Sequence, residues 1–198
     1  LLTFRSFYDI LTILTFFILG ILIFIFAIGP DYKIYGQISI GIIWTLLLLS
    51  TNLSIKKLYQ DDFNDGSIVL FFISGISFEF IVILKIIAAW LFFQFPFVII
   101  IPIACLLLGV DQSKILLLIL TFIIGSPILT SLSSISGSMN LLNDKNFAIG
   151  SIIVMLLSIP IIIFSVGIIE APTELARAQL NILLGILLLF LAITPWIS

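Results

Sequence analysis

The sequence contains no histidine, a single cysteine and few charged side chains. Histidine is the commonest general base and metal ligand in proteins, so the chain lacks the side chain on which such sites usually depend. Lys, Arg, Asp and Glu make up 9% of the 198 residues, whereas a soluble domain carries roughly a quarter. Such a chain cannot cover a water-facing surface, and its composition therefore predicts an integral membrane protein.

Motifs for nucleotide binding and catalysis are also missing. The chain has no G-x-x-x-x-G-K-[ST] phosphate-binding loop and no G-x-S-x-G nucleophile elbow. Its one thiol, Cys105, has no imidazole to activate it and no second cysteine with which to form a disulfide within the chain. We therefore expect no enzymatic activity and no bound cofactor or metal. The chain is expected to be a conduit, a scaffold or a receptor for energy supplied by another protein.

Long apolar runs dominate what the sequence does contain. Hydrophobic residues make up 62% of the chain, and about 20 apolar residues are enough for one helical crossing of a bilayer. The runs predict an all-α membrane protein, in which residues 1–198 form one transmembrane domain with six helices. The predicted spans cover about residues 11–28, 37–55, 78–108, 115–139, 148–168 and 179–196.

The longest polar interruption is KKLYQDDFNDGS, Lys56–Ser67, which we call the charged stretch. The apolar run that follows it, residues 68–76, is expected to lie along the membrane surface. Together, residues 56–76 are predicted to form a cytoplasmic coupling segment between helices 2 and 3, suited to receive a push from a soluble partner. A solvated loop whose aspartates cap neighbouring helices would have a similar sequence.

Three side chains inside the predicted spans are candidates for function. Lys85 stands in the third span, where an ionisable group costs about 3 kcal/mol at the membrane centre. The simpler interpretation is that Lys85 reaches back to the cytoplasmic interface. Trp44 and Trp90 fall deeper than the interface at which tryptophan usually lies, so contact with a ligand is conceivable, although packing is the simpler interpretation.

A set of short motifs, in colinear order over essentially the whole chain, resembles the heme exporter protein B (CcmB) family. The most specific motif is the D-D-x-x-D-G-S block at residues 61–67. The others are Ile28-Gly29-Pro30, Gly41-Ile42-Ile43-Trp44, Leu58, Lys85 with Trp90, Pro96 and Pro102, Leu108-Gly109 with Asp111, Gly125 with Pro127, Ile159-Pro160 and Thr194-Pro195. Members of this family are permease subunits of the cytochrome c maturation ABC transporter.

The resemblance implies a six-span permease of the ABC-2 exporter type in the bacterial inner membrane or, alternatively, the mitochondrial inner membrane. It implies an ATPase partner (CcmA) that binds ATP, a haem-handling membrane protein (CcmC), a small single-span subunit (CcmD) and, indirectly, the haem chaperone CcmE. Membrane lipid surrounds the chain, and no nucleic acid partner is expected. The residues expected to contact the ATPase are Leu58, Asp61, Asp62, Asp65, Gly66 and Ser67.

In such a complex, ATP hydrolysis is expected to drive haem delivery or release of the haem-loaded periplasmic chaperone. Because this chain has no histidine to ligate haem iron, energy coupling is favoured over direct haem ligation. Two other functions stay open at this point. A structural scaffold would assemble the haem-handling subunits without ATP-driven motion, and an unrelated solute carrier would use Lys85 in its pathway.

Overall fold

The structure, a computed structural model, describes residues 2–29, 32–54, 59, 62, 63, 65–67, 70, 73, 75–140 and 147–198. Every regular element in these ranges is a helix, which confirms the all-α prediction. The elements are α1 (Leu2–Ile28), α2 (Tyr32–Ser54), α3 (Phe78–Ala89), a π-helical segment (Trp90–Gln94), α4 (Phe95–Leu107), α5 (Gln112–Asn140), α6 (Phe147–Glu170) and α7 (Thr173–Ile197).

Among the described residues, five stretches of helix are long and apolar enough to cross a membrane. They are Tyr8–Ile28, Phe78–Leu107, Gln112–Met139, Gly150–Glu170 and Thr173–Ile197. Helix α2 supplies a shorter apolar stretch, Ile38–Leu53. The membrane character predicted from composition is therefore confirmed, while the sixth crossing, by α2, stays a prediction.

Helix α5 lies at the centre of the bundle. It contacts α2, α3, α4, α6 and α7, and 56% of the residues in an 18-residue apolar window within it are buried. The hydroxyls of Thr130, Ser131 and Ser133 each donate to the carbonyl four residues earlier, at 2.8–3.0 Å. Small side chains whose polar groups are satisfied within their own helix let neighbouring helices approach closely in lipid. This explains why the most serine-rich span is also the innermost.

Aromatic rings join four helices in the core. The rings of Phe17 on α1 and Phe97 on α4 meet edge to face with their centroids 5.2 Å apart. Phe122 on α5 lies 6.2 Å from both Phe97 and Trp44, the latter on α2. Trp44 fits because Gly125 has no side chain: a Cβ there would lie 2.7 Å from Trp44 Cη2. Close approach of α2 and α5 therefore depends on this glycine.

The segment Trp90–Gln94 interrupts the regular hydrogen bonding between α3 and α4. The N–H of Phe95 donates to the carbonyl of Trp90, five residues back, instead of four. Pro96 follows at the start of α4, has no N–H, and in a regular α-helix its ring would meet the carbonyl one turn earlier. A wider π turn accommodates the ring. The structure thus places a π segment just before this proline.

Polar contacts close the end of the bundle that lies away from the charged stretch. Ser39 on α2 donates to the carbonyl of Leu108, 3.0 Å away, just after α4. Lys114 near the start of α5 donates to both carboxylate oxygens of Glu170, at 2.8 and 2.9 Å, at the end of α6. We call this the opposite end of the bundle.

Candidate functional site

Tyr59 in the charged stretch is buried near the ends of α5 and α7. It is 4% exposed, and its hydroxyl lies 2.6 Å from Oγ of Ser134 on α5. The Ser134 hydroxyl donates in turn to Oγ of Ser198, 3.1 Å away, just after α7. Burial, above all, raises the pKa of Tyr59 above its ordinary value of 10.0. The phenol therefore stays protonated at physiological pH and links the charged stretch to α5 and α7.

Asp62 and Lys85 form a salt bridge between the charged stretch and α3. The Lys85 and Asp62 side chains are 20% and 31% exposed. The Lys85 ammonium also lies over the ring of Tyr59, 4.4 Å from its centroid, where the π face attracts a cation. We call Tyr59, Asp62, Lys85, Ser134 and Ser198 the charged end of the bundle.

The structure thus brings together two residues that sequence reasoning had selected separately. Lys85 was a candidate because charge is rare in a membrane helix, and Asp62 because it belongs to the D-D-x-x-D-G-S block. Their pairing was not predicted, since spacing along the chain gives no sign of a contact between a connecting stretch and a helix. Lys85 does reach toward the polar end of its helix, where its ammonium contacts the carboxylate of Asp62 and the ring face of Tyr59.

The other described part of the charged stretch faces outward. Asp65 and Gly66 are exposed in a turn, and Gly66 has a φ of +72°, a conformation that glycine adopts without strain. The N–H of Gly66 donates to the carbonyl of Phe63, 3.3 Å away, and the Phe63 side chain is 46% exposed. Ser67 is half-buried. An acidic group and an aromatic ring are therefore both accessible on the outer side of the stretch.

Two predicted contact residues, Leu58 and Asp61, lie outside the described residues. The same holds for much of the segment 68–76, which was predicted to lie along the membrane surface. Within that segment, the side chains of Leu70 and Ile73 are 66% and 75% exposed.

Trp44 on α2 and the half-buried Trp90 of the π segment both contact α5. Trp44 is fully buried, and its Nε1 has no hydrogen-bond partner among the described residues. Trp90 Nε1 donates to Ser126 Oγ on α5 at 2.8 Å. Gln94, which sequence reasoning did not select, is 2% exposed and its Nε2 donates to Thr51 Oγ1 on α2 at 2.8 Å. These contacts fix the π segment to both neighbours; the one signal for Gln94 was an amide within an apolar run.

The charged end joins the charged stretch to the ends of the membrane helices. An exposed acidic turn is continuous with side chains that are bonded to α3 and α5. In the described part of the chain, no group of three or more His, Cys, Asp or Glu side chains could hold a metal ion. The predicted absence of enzymatic activity stays a prediction, but the chemistry of this site consists of ion pairing and hydrogen bonding.

Comparison with known proteins supplies the family. The family model described as "CcmB protein" matches residues 1–198. Heme exporter protein B of Haemophilus influenzae is 35% identical over 163 residues, which are 82% of this chain and 74% of the relative. Heme exporter protein B of Pseudomonas aeruginosa is 29% identical over 161 residues, 81% of this chain and 72% of the relative.

The protein of the same name from Bradyrhizobium diazoefficiens is 29% identical over 185 residues, 91% of this chain and 83% of the relative. Bacterial relatives, taken with several helices of membrane length, indicate a bacterial membrane protein. The match over the whole length agrees with the resemblance found along the sequence. The chain belongs to the CcmB, or heme exporter protein B, family.

Proposed function

We propose that this chain is the permease subunit of an inner-membrane ABC exporter complex that acts in haem export and cytochrome c maturation. Family membership supports the pathway, since the relatives bear the name heme exporter protein B. The sequence has no phosphate-binding loop, so ATP would be bound and hydrolysed by a partner ATPase of the CcmA type. The energy would then drive haem delivery or release of the haem-loaded chaperone CcmE, with CcmC and CcmD in the same complex.

The observation that carries this proposal is the two-sided character of the charged stretch. Its inner side is bonded to membrane helices through Tyr59 and Asp62. Its outer side exposes Phe63 and Asp65. An element of this kind can be held by a soluble partner and can pass a displacement into the bundle, as rigid-body domain changes require. In the proposed complex, Asp65 pairs with a basic side chain or backbone N–H groups of the ATPase.

Replacing Asp65 by alanine tests the docking directly. Removal of one exposed partner in a protein interface costs about 1 kcal/mol, so we expect about fivefold less ATPase to co-purify with the solubilised chain. Reversal to lysine should lower the recovered ATPase further, together with cytochrome c formation. The control is Glu174→Ala, which removes an exposed carboxylate from the first turn of α7. It should leave both quantities at their normal levels.

Unchanged ATPase recovery and unchanged cytochrome c formation in both Asp65 variants would overturn the docking role.

The absence of histidine supports a division of labour in which this chain couples energy while CcmC handles haem. Met139, Met155, a tyrosine and Cys105 are the weak alternatives as iron ligands; the two methionines are exposed on different helices, and Cys105 is a buried thiol.

A further inference from the structure

We infer that Lys85 is the residue through which the charged stretch moves α3. This inference rests on the proposed function, since it assigns the path by which a displacement of the docked stretch enters the membrane. It is carried by three contacts at the charged end: the Asp62–Lys85 salt bridge, the Lys85 ammonium over the Tyr59 ring, and the Tyr59 hydroxyl on Ser134.

The contacts divide the charged stretch into a fixed part and a part that can move. Tyr59 is 4% exposed and its hydroxyl is bonded to α5, the innermost helix, so its position is set by the core. Asp62 is 31% exposed and bonded to α3 by its side chain. It lies between the buried tyrosine and the exposed turn at Asp65. A pull on that turn therefore reaches α3 through the Asp62–Lys85 pair while Tyr59 holds its place.

The position of Lys85 within the membrane helix makes such a pull effective. Lys85 stands about one and a half turns before the π segment, by the 3.6-residue period of the α-helix. Trp90 and Gln94 fix that segment to α5 and α2 through Ser126 and Thr51. A π turn next to a proline is a place where helices commonly kink. Helix α3 can thus tilt about the π segment while α4 stays packed.

A second explanation of the same contacts is purely structural. Pairing with Asp62 would then serve to keep an amine tolerable in a membrane helix, because an isolated charge there is costly. The two explanations differ for Lys85→Met, which removes the amine and leaves Asp62 partly in water. If the pair served only to offset the cost of the charge, this variant would function normally. If the pair transmits movement, the complex would assemble and hydrolyse ATP without maturing cytochrome c.

The experiment measures four quantities in cells that carry the complete complex. They are the amount of the chain in the membrane, the ATPase recovered with it, the ATP hydrolysis of the purified complex and the cytochrome c formed. For Lys85→Met we expect the first three within twofold of the wild type and cytochrome c lowered about tenfold. Lys85→Arg keeps the charge and should retain most of the cytochrome c. Lys114→Met, which removes the lysine of the opposite end, should mature cytochrome c normally.

Asp62→Asn serves as a second variant, should Lys85→Met fail to accumulate, and it should show the same separation of ATP hydrolysis from maturation. Normal cytochrome c formation in an accumulated Lys85→Met or Asp62→Asn variant would overturn the inference. So would a loss of cytochrome c that merely parallels a loss of recovered ATPase, because Lys85 would then serve docking alone. If the wild-type chain itself recovers no ATPase, the proposed function fails, and that outcome is distinct from either of these.

Discussion

Reversing the charge of either Asp62 or Lys85 is expected to abolish cytochrome c maturation, and exchanging the two charges is expected to restore much of it. Asp62→Lys would place two ammonium groups at a contact that is partly buried. Lys85→Glu would place two carboxylates there. Two like charges placed together at such a site raise the free energy of the contact by several kcal/mol. The double variant recreates an opposite-charge pair across the same interface between the charged stretch and α3.

We expect each single reversal to leave less than about a tenth of the normal cytochrome c and the double variant to recover at least about half. A tenfold change corresponds to about 1.4 kcal/mol, so a repulsion of this size or larger between the two side chains is enough to lower cytochrome c formation tenfold. The membrane amount of each variant is measured alongside, by quantitative immunoblot. The matched control is the exchange of Lys114 and Glu170, a salt bridge at the opposite end, which should not rescue either reversal. A double variant that is present in the membrane but performs no better than the worse single variant would contradict the pairing.

The second large effect is expected at the contact between α2 and α5. Gly125→Ala introduces a Cβ at 2.7 Å from Trp44 Cη2 and 3.3 Å from its Cζ3. Trp44 is fully buried among core rings and cannot move aside freely. Overpacking of this kind costs about 2 kcal/mol. For a chain of this length, that lowers the Tm by about 4–8 °C, which a thermal-shift assay of the detergent-solubilised protein can resolve.

Two companion variants make this result specific. Gly185→Ala adds the same methyl group to α7, where no neighbouring atom lies within 4 Å of the new Cβ, and it should not lower the Tm. Trp44→Phe shortens the obstructing ring, so the combination with Gly125→Ala should lose less stability than the sum of the two single variants. Strict additivity, or a Gly125→Ala variant as stable as Gly185→Ala, would mean that the glycine is not what admits Trp44.

The helical membrane architecture could be read from the sequence because lipid imposes a simple rule. Backbone groups in hydrocarbon must be satisfied internally, so long apolar runs are helices. Helix starts were less predictable. Helix α1 begins at Leu2 and α7 at Thr173, both ahead of the predicted spans. The first turn of neither helix contains a residue that stops a helix, and Pro172 is tolerated just before the first turn of α7.

Local irregularity could be predicted only in part. Pro96 predicts an irregular helix, because proline has no N–H and removes a backbone hydrogen bond in any surroundings. Whether the helix kinks or forms a π turn at the proline depends on the contacts that its side chains make with neighbouring helices. Here Gln94 and Trp90 find hydroxyls on α2 and α5, partners that the local sequence does not reveal.

Of the charged end, Asp62 and Lys85 could be selected from the sequence, whereas Tyr59, Ser134 and Ser198 could not, and neither could the arrangement of the five. Charge in an apolar chain draws attention to Lys85 and to the aspartates of the charged stretch, because each must have a partner or water. Which of them meet is a matter of tertiary packing. The hydroxyl path from Tyr59 through Ser134 to Ser198 joins three separate parts of the chain, and no periodicity within one element predicts it.

In the proposed complex, ATP-driven movement of a partner enters the membrane through the charged stretch and α3. Double electron–electron resonance, which measures the distance between two spin labels, tests this movement. The labels are placed at Phe80→Cys on α3 and Met139→Cys on α5, two exposed positions, with the buried Cys105 replaced by alanine. The reconstituted complex is compared without nucleotide, with ATP trapped by a hydrolysis-deficient ATPase, and after hydrolysis. The Lys85→Met variant is measured in the same three states.

We predict that the α3–α5 distance distribution shifts when ATP is trapped, returns after hydrolysis, and stays unshifted in Lys85→Met although its ATPase remains bound. A distribution that is the same in all three states of the functional wild-type complex would contradict transmission of movement through α3. The chain would then be a scaffold that assembles its partners without transmitting their motion.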